Sequence, residues 1–376
     1  MKLFTTDSSY VVAGIGRPGI PFLCDQDMEL VEAPNRYLDH VAVVRGRTKS
    51  AQTWKTYGEH LYDFFSFLED NGLSWSEADE RTLAAWRDGM AERGNQVRTI
   101  NGRLRGVHRF YSWAVHAGLL SRTPFTMEEV MVSKPSGFLA HVSANAGRAL
   151  VNEITLREPR RLPRYLQIEQ ATQFLDSLTP KRMRLMGYTM LLTGMRRDEV
   201  AGLDHRVLPN PAGQPTDKAL DMVLDPSKTP TKGSTERTVK VPYLLGVALY
   251  DYFTWERPQL ERLHEAKWGR PTTRLFLSRH GEELSTPGIS VAFHEASQKC
   301  GIKCAPHMLR HTFGTYEFTR MNVKWGKDRA LYWVRDRLGH SSITQTEVYV
   351  HLSDNLTNDV VDGYVADVCK ALVHGA

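Results

Sequence analysis

The polar and apolar residues between positions 53 and 120 follow the period of amphipathic helices. From Thr53 onward, apolar side chains recur at steps of three and four residues, which places them on one face of a helix that ends near Asn71-Gly72. This face comprises Trp54, Tyr57, Leu61, Phe64, Phe65 and Leu68. Further helices are predicted through LAAWRDGMAER and from about Thr99 to Ala117. The apolar face of the last comprises Ile100, Leu104, Val107, Phe110, Tyr111 and Ala114. These helices can share a small core.

In the segments on either side of this helical unit, apolar residues do not recur at steps of three and four. The first thirty residues are rich in glycine and proline, and their role is not indicated by any motif. Residues 122–162 combine prolines, serines and basic residues, a composition typical of a linker. The predicted organisation is therefore an N-terminal extension over 1–35, a helical domain over 36–121, the linker over 122–162 and a second domain over 163–376.

The second domain is predicted to be mostly helical with one small β-structure. Helical patterns run through IEQATQFLDSL, KRMRLMGYTMLLTGM and YLLGVALYDYFTWER, whereas LDMVLDPSKTPTKGSTERTVKVP is typical of a strand, a polar turn and a second strand. Near the C-terminus, an apolar stripe at helical spacing comprises Val360, Val361, Tyr364, Val365, Val368 and Leu372. This stripe needs a groove, either on its own domain or on a neighbouring subunit. The fold class is mainly α with a small β-sheet, α+β.

Composition indicates a globular protein of more than one domain. The chain has 376 residues, of which 41% are hydrophobic and 24% are charged, and this length exceeds one ordinary core. Neither a leader segment nor an apolar run of about 18 residues is apparent, so no membrane association and a cytoplasmic location are expected. Four cysteines are too few for a disulfide scaffold. Cys300, Cys304 and His307 lack a further ligand pair, so neither a metal nor a cofactor is expected.

The basic residues suggest, but do not establish, a polyanionic partner. The formal net charge is +5, which also suits many enzymes. Five arginines cluster on the polar face of the third helix and in the loop before it, namely Arg93, Arg98, Arg103, Arg105 and Arg109. They form either a solvated basic face or a set of contacts to DNA phosphates.

Four stretches of the second domain carry candidate chemistry: TGMRRDEVAGL, TKGSTERTVKVP, HMLRHTF and RLGHSSITQTEVYVHL. Each alone is unremarkable, because single arginines and histidines are usually structural. In this order, however, they resemble the tyrosine site-specific recombinases of the phage integrase family. The resemblance covers the second domain, which would be the catalytic domain, and the helical domain is similar to the core-binding domain that forms half of a clamp around duplex DNA.

The resemblance implies a set of site residues. The nucleophile would be Tyr349, the general acid Lys232, and the remaining catalytic residues Arg196, His307, Arg310 and His340, supported by Glu199 and His311. The hairpin departs slightly from the family pattern, with extra residues before its proline, so Lys228 is a second candidate for the acid. Tyr316, Tyr332 and Tyr364 compete with Tyr349, although aromatic residues at helical spacing are usually core.

The chemistry explains why these residue types are needed. Attack on a phosphodiester places negative charge on the non-bridging oxygens, and two guanidiniums stabilise it. A tyrosine hydroxyl is neutral at pH 7 and needs a base, for which His307 is the first candidate, while His340 would donate to a phosphate oxygen. A lysine ammonium would protonate the departing 5′ oxygen. Arginines supply what metal ions supply in other nucleases, so the reaction would need no metal. The phosphotyrosine linkage would conserve the energy of the phosphodiester bond, so religation would need no ATP.

The predicted function is that of a site-specific recombinase or integrase that cleaves and rejoins double-stranded DNA through a 3′-phosphotyrosine intermediate. Integration, excision and transposition all fit. The resemblance also implies a homo-oligomer, a tetramer at synapsis, joined through the C-terminal tail. The alternatives are a type IB topoisomerase-like enzyme that relaxes DNA and a catalytically silent DNA-binding regulator of the same fold.

Overall fold

The computed structural model describes residues 1–46, 50–131, 148–159, 162–231, 235–354, 356, 361 and 363–374. The chain divides into two units, Met1–Arg160 and Arg161–Ala376, and each unit has a hydrophobic core of its own. Within the described part of the chain, no helix is long and apolar enough to cross a membrane.

Three long helices form the centre of the N-terminal unit, as the apolar periodicity predicts. In chain order, the elements of this unit are β1 (Lys2–Thr5), β2 (Val11–Val12), β3 (Ile15–Gly16), β4 (Pro21–Cys24), α1 (Glu32–Asp39), α2 (Ala51–Asp70), α3 (Glu80–Glu92), α4 (Val97–His116), β5 (Met127–Met131) and β6 (Arg148–Asn152). The apolar faces predicted for α2 and α4 are buried, apart from the half-buried Tyr57. Because this aromatic core is continuous, these helices pack as one unit.

Short strands lie in both segments that lack a helical period. β1 pairs with β4 in an antiparallel register, and Ile20 and Leu23 from this region are buried in the core of the unit. Inside residues 122–162, β5 pairs with β6, and Phe125 and Ile154 are buried in the same core. Both ends of the predicted linker therefore pack on the N-terminal unit, a feature that its composition did not indicate.

The described residues of the C-terminal unit form a helical assembly with one β-hairpin. Its elements are α5 (Ile168–Ser177), α6 (Lys181–Thr193), α7 (Arg197–Ala201), β7 (Leu220–Leu224), β8 (Arg237–Val241), α8 (Tyr243–Asp251), α9 (Arg257–Trp268), α10 (Thr286–Cys300), α11 (Pro306–Trp325), α12 (Lys327–Leu338), α13 (Val348–Ser353) and α14 (Tyr364–His374). β7 and β8 pair antiparallel, which confirms the predicted strand-turn-strand. The α+β fold class is confirmed.

Two glycines end the helices that lead into the site. Gly194 follows α6 with φ +67° and Gly339 follows α12 with φ +62°, a left-handed conformation that favours glycine. Gly194 is also required by packing, because a Cβ there would lie 2.4 Å from the Phe313 ring. These sharp ends bring the start of α7 and the segment after α12 to the first turns of α11.

The C-terminal stripe is buried within its own chain. Tyr364, Val368 and Leu372 of α14 belong to the main core of the unit, and α14 contacts α5, α6 and α8. The Tyr364 hydroxyl donates a hydrogen bond to the buried carboxylate of Glu317 on α11. In the single chain the groove for this stripe is therefore on its own domain. Val360, the first residue of the predicted stripe, lies outside the described residues.

Candidate active site

Two guanidinium groups are held by backbone carbonyls at the ends of α6 and α12. Arg310, on α11, is 2% exposed and donates to the carbonyl oxygens of Gly194 (2.5 Å) and Leu338 (2.7 Å). Arg196 donates to the next carbonyl, that of Gly339, at 3.1 Å. Burial, followed by the nearby charge of Arg196, lowers the pKa of Arg310 to about 9. Arg310 is still charged at pH 7, and its guanidinium forms a preorganised anion site together with that of Arg196.

A buried carboxylate orients Arg196. Glu199 is 1% exposed and accepts from the Arg196 guanidinium at 3.0 Å and from the Arg196 backbone N–H at 2.7 Å. Its two oxygens also accept from Arg237, at 2.8 and 2.5 Å. Burial alone would raise the pKa of Glu199, but the hydrogen bonds and charge of Arg237 keep it below its usual value. Sequence reasoning missed Arg237, although it lies in the hairpin motif.

The Tyr349 ring lies against α11, and its hydroxyl contacts His311. The hydroxyl oxygen is 3.2 Å from Nδ1 of His311, and the residue is 1% exposed. A Cβ on Gly314 would lie 2.4 Å from Cζ of Tyr349, so only glycine leaves room for this ring. Burial raises the pKa of Tyr349 to about 12, and the charges of Arg310 and Arg196 oppose that shift. The phenol is neutral at pH 7.

Three histidines lie around this phenol in different environments. The His340 ring is parallel to that of Tyr349, with an angle of 6° and 6.2 Å between centroids, and its Nδ1 is 2.9 Å from Oγ1 of the buried Thr346. Burial lowers the pKa of His340 and of His311 to about 3, with Arg310 adding to both shifts. His307 is exposed, and its ring centroid is 4.4 Å from that of His311. The structure therefore brings His311, rather than His307, to the hydroxyl.

The two lysine candidates belong to the segment between β7 and β8. Lys232 lies outside the described residues. Lys228 is described and lies in the turn after β7, where its ammonium is 3.4 Å from a carboxylate oxygen of Asp225.

The other candidate tyrosines lie elsewhere. Tyr316 and Tyr364 are buried, and their hydroxyls donate hydrogen bonds to the side chains of Gln167 and Glu317, respectively. Tyr332 is exposed on α12. Of the four tyrosines, Tyr349 is therefore the one that adjoins the guanidinium pair. Within the described residues, no cluster of His, Cys, Asp or Glu could hold a metal ion.

The arginines of the N-terminal unit have a more open setting. Arg93 and Arg103 donate to Asp63 at 3.4 and 2.9 Å, and Arg105 is 3.7 Å from Glu158. Arg109 donates to the Tyr57 hydroxyl at 3.1 Å. All five arginines are exposed except Arg103, which is half-buried. Their side chains are accessible to a polyanion, but they do not form a closed site.

The comparison with protein families covers both units. The model of the "Phage integrase family" matches residues 164–355, and that of the "Phage integrase, N-terminal SAM-like domain" matches residues 35–118. This chain belongs to the phage integrase family. The resemblance noted from the four motifs is confirmed.

Curated relatives of this integrase-family protein are tyrosine recombinases. XerC of Bacillus pumilus is 26% identical over 312 residues, covering 81% of this chain and 87% of its own length. XerD of Staphylococcus epidermidis is 24% identical over 327 residues, covering 84% of this chain and 92% of its own length.

Solved structures of recombinases share the fold. The XerH site-specific recombinase bound to its difH substrate matches with a TM-score of 0.55 and 17% identity, covering 90% of this chain and 85% of its own. A lambda integrase dimer bound to a core site matches with a TM-score of 0.53 and 12% identity, covering 84% and 93%. The protein is a site-specific recombinase, an enzyme that transfers DNA strands, as the sequence analysis predicts.

Proposed function

We propose that this integrase-family recombinase cleaves double-stranded DNA with Tyr349 as the nucleophile. The Tyr349 oxygen forms a bond to phosphorus while the bond from phosphorus to the 5′ oxygen breaks, which leaves a 3′-phosphotyrosine and a free 5′ hydroxyl. The observation that carries this proposal is the Tyr349 hydroxyl, which is hydrogen-bonded to the half-buried imidazole of His311 beside the buried Arg310 and the half-buried Arg196. Because Tyr349 is only 1% exposed, the short helix α13 has to shift for its hydroxyl to reach a phosphate when DNA binds.

Arg196 and Arg310 are assigned to the non-bridging oxygens of the phosphate. Their guanidiniums are already oriented by three backbone carbonyls and by Glu199. Little reorganisation is then needed as negative charge develops, and this preorganisation is the main source of electrostatic catalysis. In this scheme Glu199 and Arg237 position Arg196 and do not touch the phosphate.

The three histidines have different roles in this scheme: His311 and His307 accept the tyrosine proton, and His340 binds the phosphate. His311 is neutral at pH 7 and, with its proton on Nε2, accepts the Tyr349 proton at Nδ1. The exposed His307, predicted from sequence to be the base, lies one helical turn away and can receive the proton in turn. In this scheme the Thr346 hydroxyl donates to Nδ1 of His340, 2.9 Å away, so Nε2 carries the imidazole proton and donates it in a hydrogen bond to a phosphate oxygen.

The 5′ oxygen requires a proton, and we assign it to Lys232 on the strength of the K-G-x-x-E-R-x-V motif. Lys228 is the alternative, and its ion pair with Asp225 counts against it, since the ammonium would have to leave that carboxylate. The phosphotyrosine bond conserves the energy of the phosphodiester, so religation to another strand needs no ATP. With two arginines stabilising the charge, the reaction needs no metal ion.

The wider reaction is proposed by analogy with the relatives. The XerH structure contains its difH substrate, and the lambda integrase structure is a dimer on DNA. We infer that this protein binds duplex DNA with help from Arg93, Arg98, Arg103, Arg105 and Arg109, and recombines it as a homo-oligomer, a tetramer at synapsis joined through α14. Since α14 packs on its own unit in the single chain, this joint requires α14 to leave that groove and to dock in the same groove of a neighbouring subunit. Integration, excision and transposition all fit, and a cytoplasmic location remains a prediction.

A nicked suicide duplex taken from DNA flanking the gene tests this proposal. Wild type, Tyr349→Phe and the exposed control Tyr332→Phe are incubated with it in EDTA without ATP, and covalent adducts are resolved on a denaturing gel. Adducts with wild type and Tyr332→Phe but not with Tyr349→Phe are expected. DNA binding without an adduct in wild type would instead indicate a regulator, and relaxation of plasmid without strand exchange would indicate a topoisomerase-like enzyme.

A further inference from the structure

A cavity beside Arg196 extends to α12. It has a volume of about 760 Å³. Its lining includes Arg196 and His340, which the proposed function places on the scissile phosphate. It also includes Trp333 and Arg337 of α12. DNA whose phosphate lies on Arg196 therefore also faces α12.

Tryptophan and arginine alternate along α12 at intervals of four residues. Trp325 is the last residue of α11, and Arg329, Trp333 and Arg337 follow it, so the last three lie on one face of α12. These four residues are named the α12 stripe, and both indoles are half-buried at the border of a hydrophobic core. A different face of α12 is buried in that core and comprises Ala330, Leu331, Val334 and Leu338. Anchoring of the helix therefore does not require the stripe.

The guanidiniums of the α12 stripe lie over its indole rings. Cζ of Arg329 is 4.8 Å from the Trp325 ring centroid, and Cζ of Arg337 is 4.9 Å from that of Trp333. The two indoles are 6.3 Å apart, with an angle of 63° between them. An aromatic face attracts a cation but does not neutralise it. Both guanidiniums can therefore still pair with a phosphate.

The segment that contains the α12 stripe is basic. Residues 324–337 carry five Lys and Arg side chains and two Asp side chains, a net charge of +3 in a chain whose formal net charge is +5. Cations interleaved with aromatic rings are typical of surfaces that bind unpaired nucleic acid, because the cations follow the backbone and the bases stack on the rings. In a duplex the bases are already stacked on each other, so such rings favour an unpaired strand.

We propose that the α12 stripe binds the unpaired DNA strand that ends in the 5′ hydroxyl after cleavage. This inference rests on the proposed function. The strand has to leave its complement before it joins a different strand, and its bases then lose their stacking partners. In this scheme Trp333 and Trp325 stack with those bases, while Arg337 and Arg329 contact the phosphates between them.

The geometry of α12 predicts the order of these contacts. Arg329 and Arg337 are separated by about 12 Å along the helix axis, which corresponds to roughly three or four bases at a stacked rise of about 3.4 Å. Among the described residues, Trp333 lines the cavity with Arg196, whereas Trp325 does not. The nucleotides next to the 5′ hydroxyl are therefore assigned to Trp333, and those farther from the break to Trp325.

Photocrosslinking of a trapped cleavage complex tests this assignment. The duplex carries a bridging sulfur in place of the 5′ oxygen at the scissile position, so the departing thiol does not religate and the leaving strand stays whole. 5-Iododeoxyuridine is placed in turn at each of the nucleotides next to the break, and crosslinked peptides are identified by mass spectrometry. The variants are Trp333→Leu and Trp325→Leu. The matched control is Trp255→Leu, since Trp255 is 73% exposed and lies between α8 and α9.

We expect a label on about the first or second nucleotide to crosslink to Trp333, and a label on about the third or fourth to crosslink to Trp325. Each crosslink should disappear in the corresponding leucine variant and persist in Trp255→Leu. Adducts on Tyr349 without a crosslink to either indole, or crosslinks to α12 from the complementary paired strand alone, would overturn the assignment. Absence of Tyr349 adducts in wild type would instead overturn the proposed function.

Affinity for a short fluorescent oligothymidine, measured by anisotropy, gives a second test that does not depend on cleavage. Trp333→Leu and Arg329→Ala should each weaken this binding, the former by roughly tenfold, because stacking of a base on an aromatic ring is commonly worth that much. Affinity for intact duplex should stay within about twofold of wild type in both variants, since its bases are not available to the rings. Equal losses in Trp255→Leu, or no loss in either stripe variant, would contradict the proposal.

Discussion

The arginines of the two units differ in what holds them. In the C-terminal unit, Arg310 is 2% exposed and is bonded to two backbone carbonyls. In the N-terminal unit, the arginines of α4 are mostly exposed; Arg105 pairs with the exposed Glu158, and Arg103 pairs with the half-buried Asp63. A buried guanidinium is expensive to desolvate, so its retention indicates a role that exposed charge cannot perform. The first set suits transition-state stabilisation, and the second suits attraction of a polyanion.

The largest expected effect comes from removing the buried guanidinium. Arg310→Ala should slow adduct formation on the suicide duplex by about a hundredfold to a thousandfold, because one preorganised donor is commonly worth that much. Binding to DNA in a mobility-shift assay should change little. Arg262→Ala, an exposed arginine of α9, is the control, and a rate for Arg310→Ala within tenfold of wild type would contradict the assignment.

The second prediction concerns the rigidity of the buried site. Gly314→Ala places a methyl group 2.4 Å from Cζ of Tyr349, so the ring must move. Adduct formation should fall about tenfold to a hundredfold, since small misplacements of reacting groups are costly, and stability should fall by about 1–3 kcal/mol.

The matched control is Gly89→Ala on α3 of the N-terminal unit. A Cβ there has Arg93 Nη1, the end of a flexible side chain, as its nearest neighbour at 3.7 Å. Unfolding in urea should show this variant to be as stable as wild type or more stable. Equal losses of cleavage in the two glycine variants would contradict the account.

A smaller effect is expected from the pH dependence of stability. Burial lowers the pKa of His311 to about 3 in the folded protein, whereas the unfolded imidazole takes up a proton below about pH 6.5. Protons therefore favour the unfolded state between these values, and the free energy of unfolding falls as the pH drops. His311→Gln should remove on the order of 1–2 kcal/mol of the loss between pH 7.5 and pH 5.

Urea unfolding at the two pH values measures this difference, with the exposed His280→Gln as control. An unchanged pH dependence in His311→Gln would mean that His311 is accessible to protons in the folded state.

The smallest effects are expected on the exposed face of α4. A plot of log affinity against log salt concentration has a negative slope, because phosphate contacts weaken as salt is added. Arg98→Ala and Arg105→Ala should each make this slope less negative by about 1. The rate of adduct formation at saturating DNA should stay unchanged, because these arginines attract DNA without touching the reacting phosphate. Arg81→Ala, exposed on α3, is the control. If Arg98→Ala or Arg105→Ala slowed adduct formation as much as Arg310→Ala does, the proposed difference in role between the arginines of the two units would be wrong.

The sequence predicts the helical faces and the order of the motifs well, for physical reasons. Burial of α2 and α4 follows from a period of three and four residues, whereas Tyr349 was selected by the resemblance to the family, from its interval after Leu-Gly-His. The strands β5 and β6 were missed because neither MEEVM nor RALVN alternates clearly between polar and apolar residues.

The division of roles between neighbouring groups is the part that the sequence could not supply. His307 and His311 lie one turn apart on the same helix, so periodicity cannot tell which one contacts the phenol. The pairing of Glu199 with Arg237 joins residues from α7 and β8. The apolar stripe of α14 predicts that a groove exists, but not whether that groove belongs to its own domain or to a neighbouring subunit. Each of these three features depends on tertiary packing, so it cannot be predicted from a local sequence pattern.

Peptide mapping of the covalent adduct tests the central claim most directly. Adduct trapped on the suicide duplex is digested with protease and nuclease, and the peptide that retains a nucleotide is identified by mass spectrometry. The account predicts a single modified peptide, with a 3′-linked nucleotide on Tyr349. A nucleotide on Tyr332, Tyr364 or any other residue of the wild-type chain would contradict it.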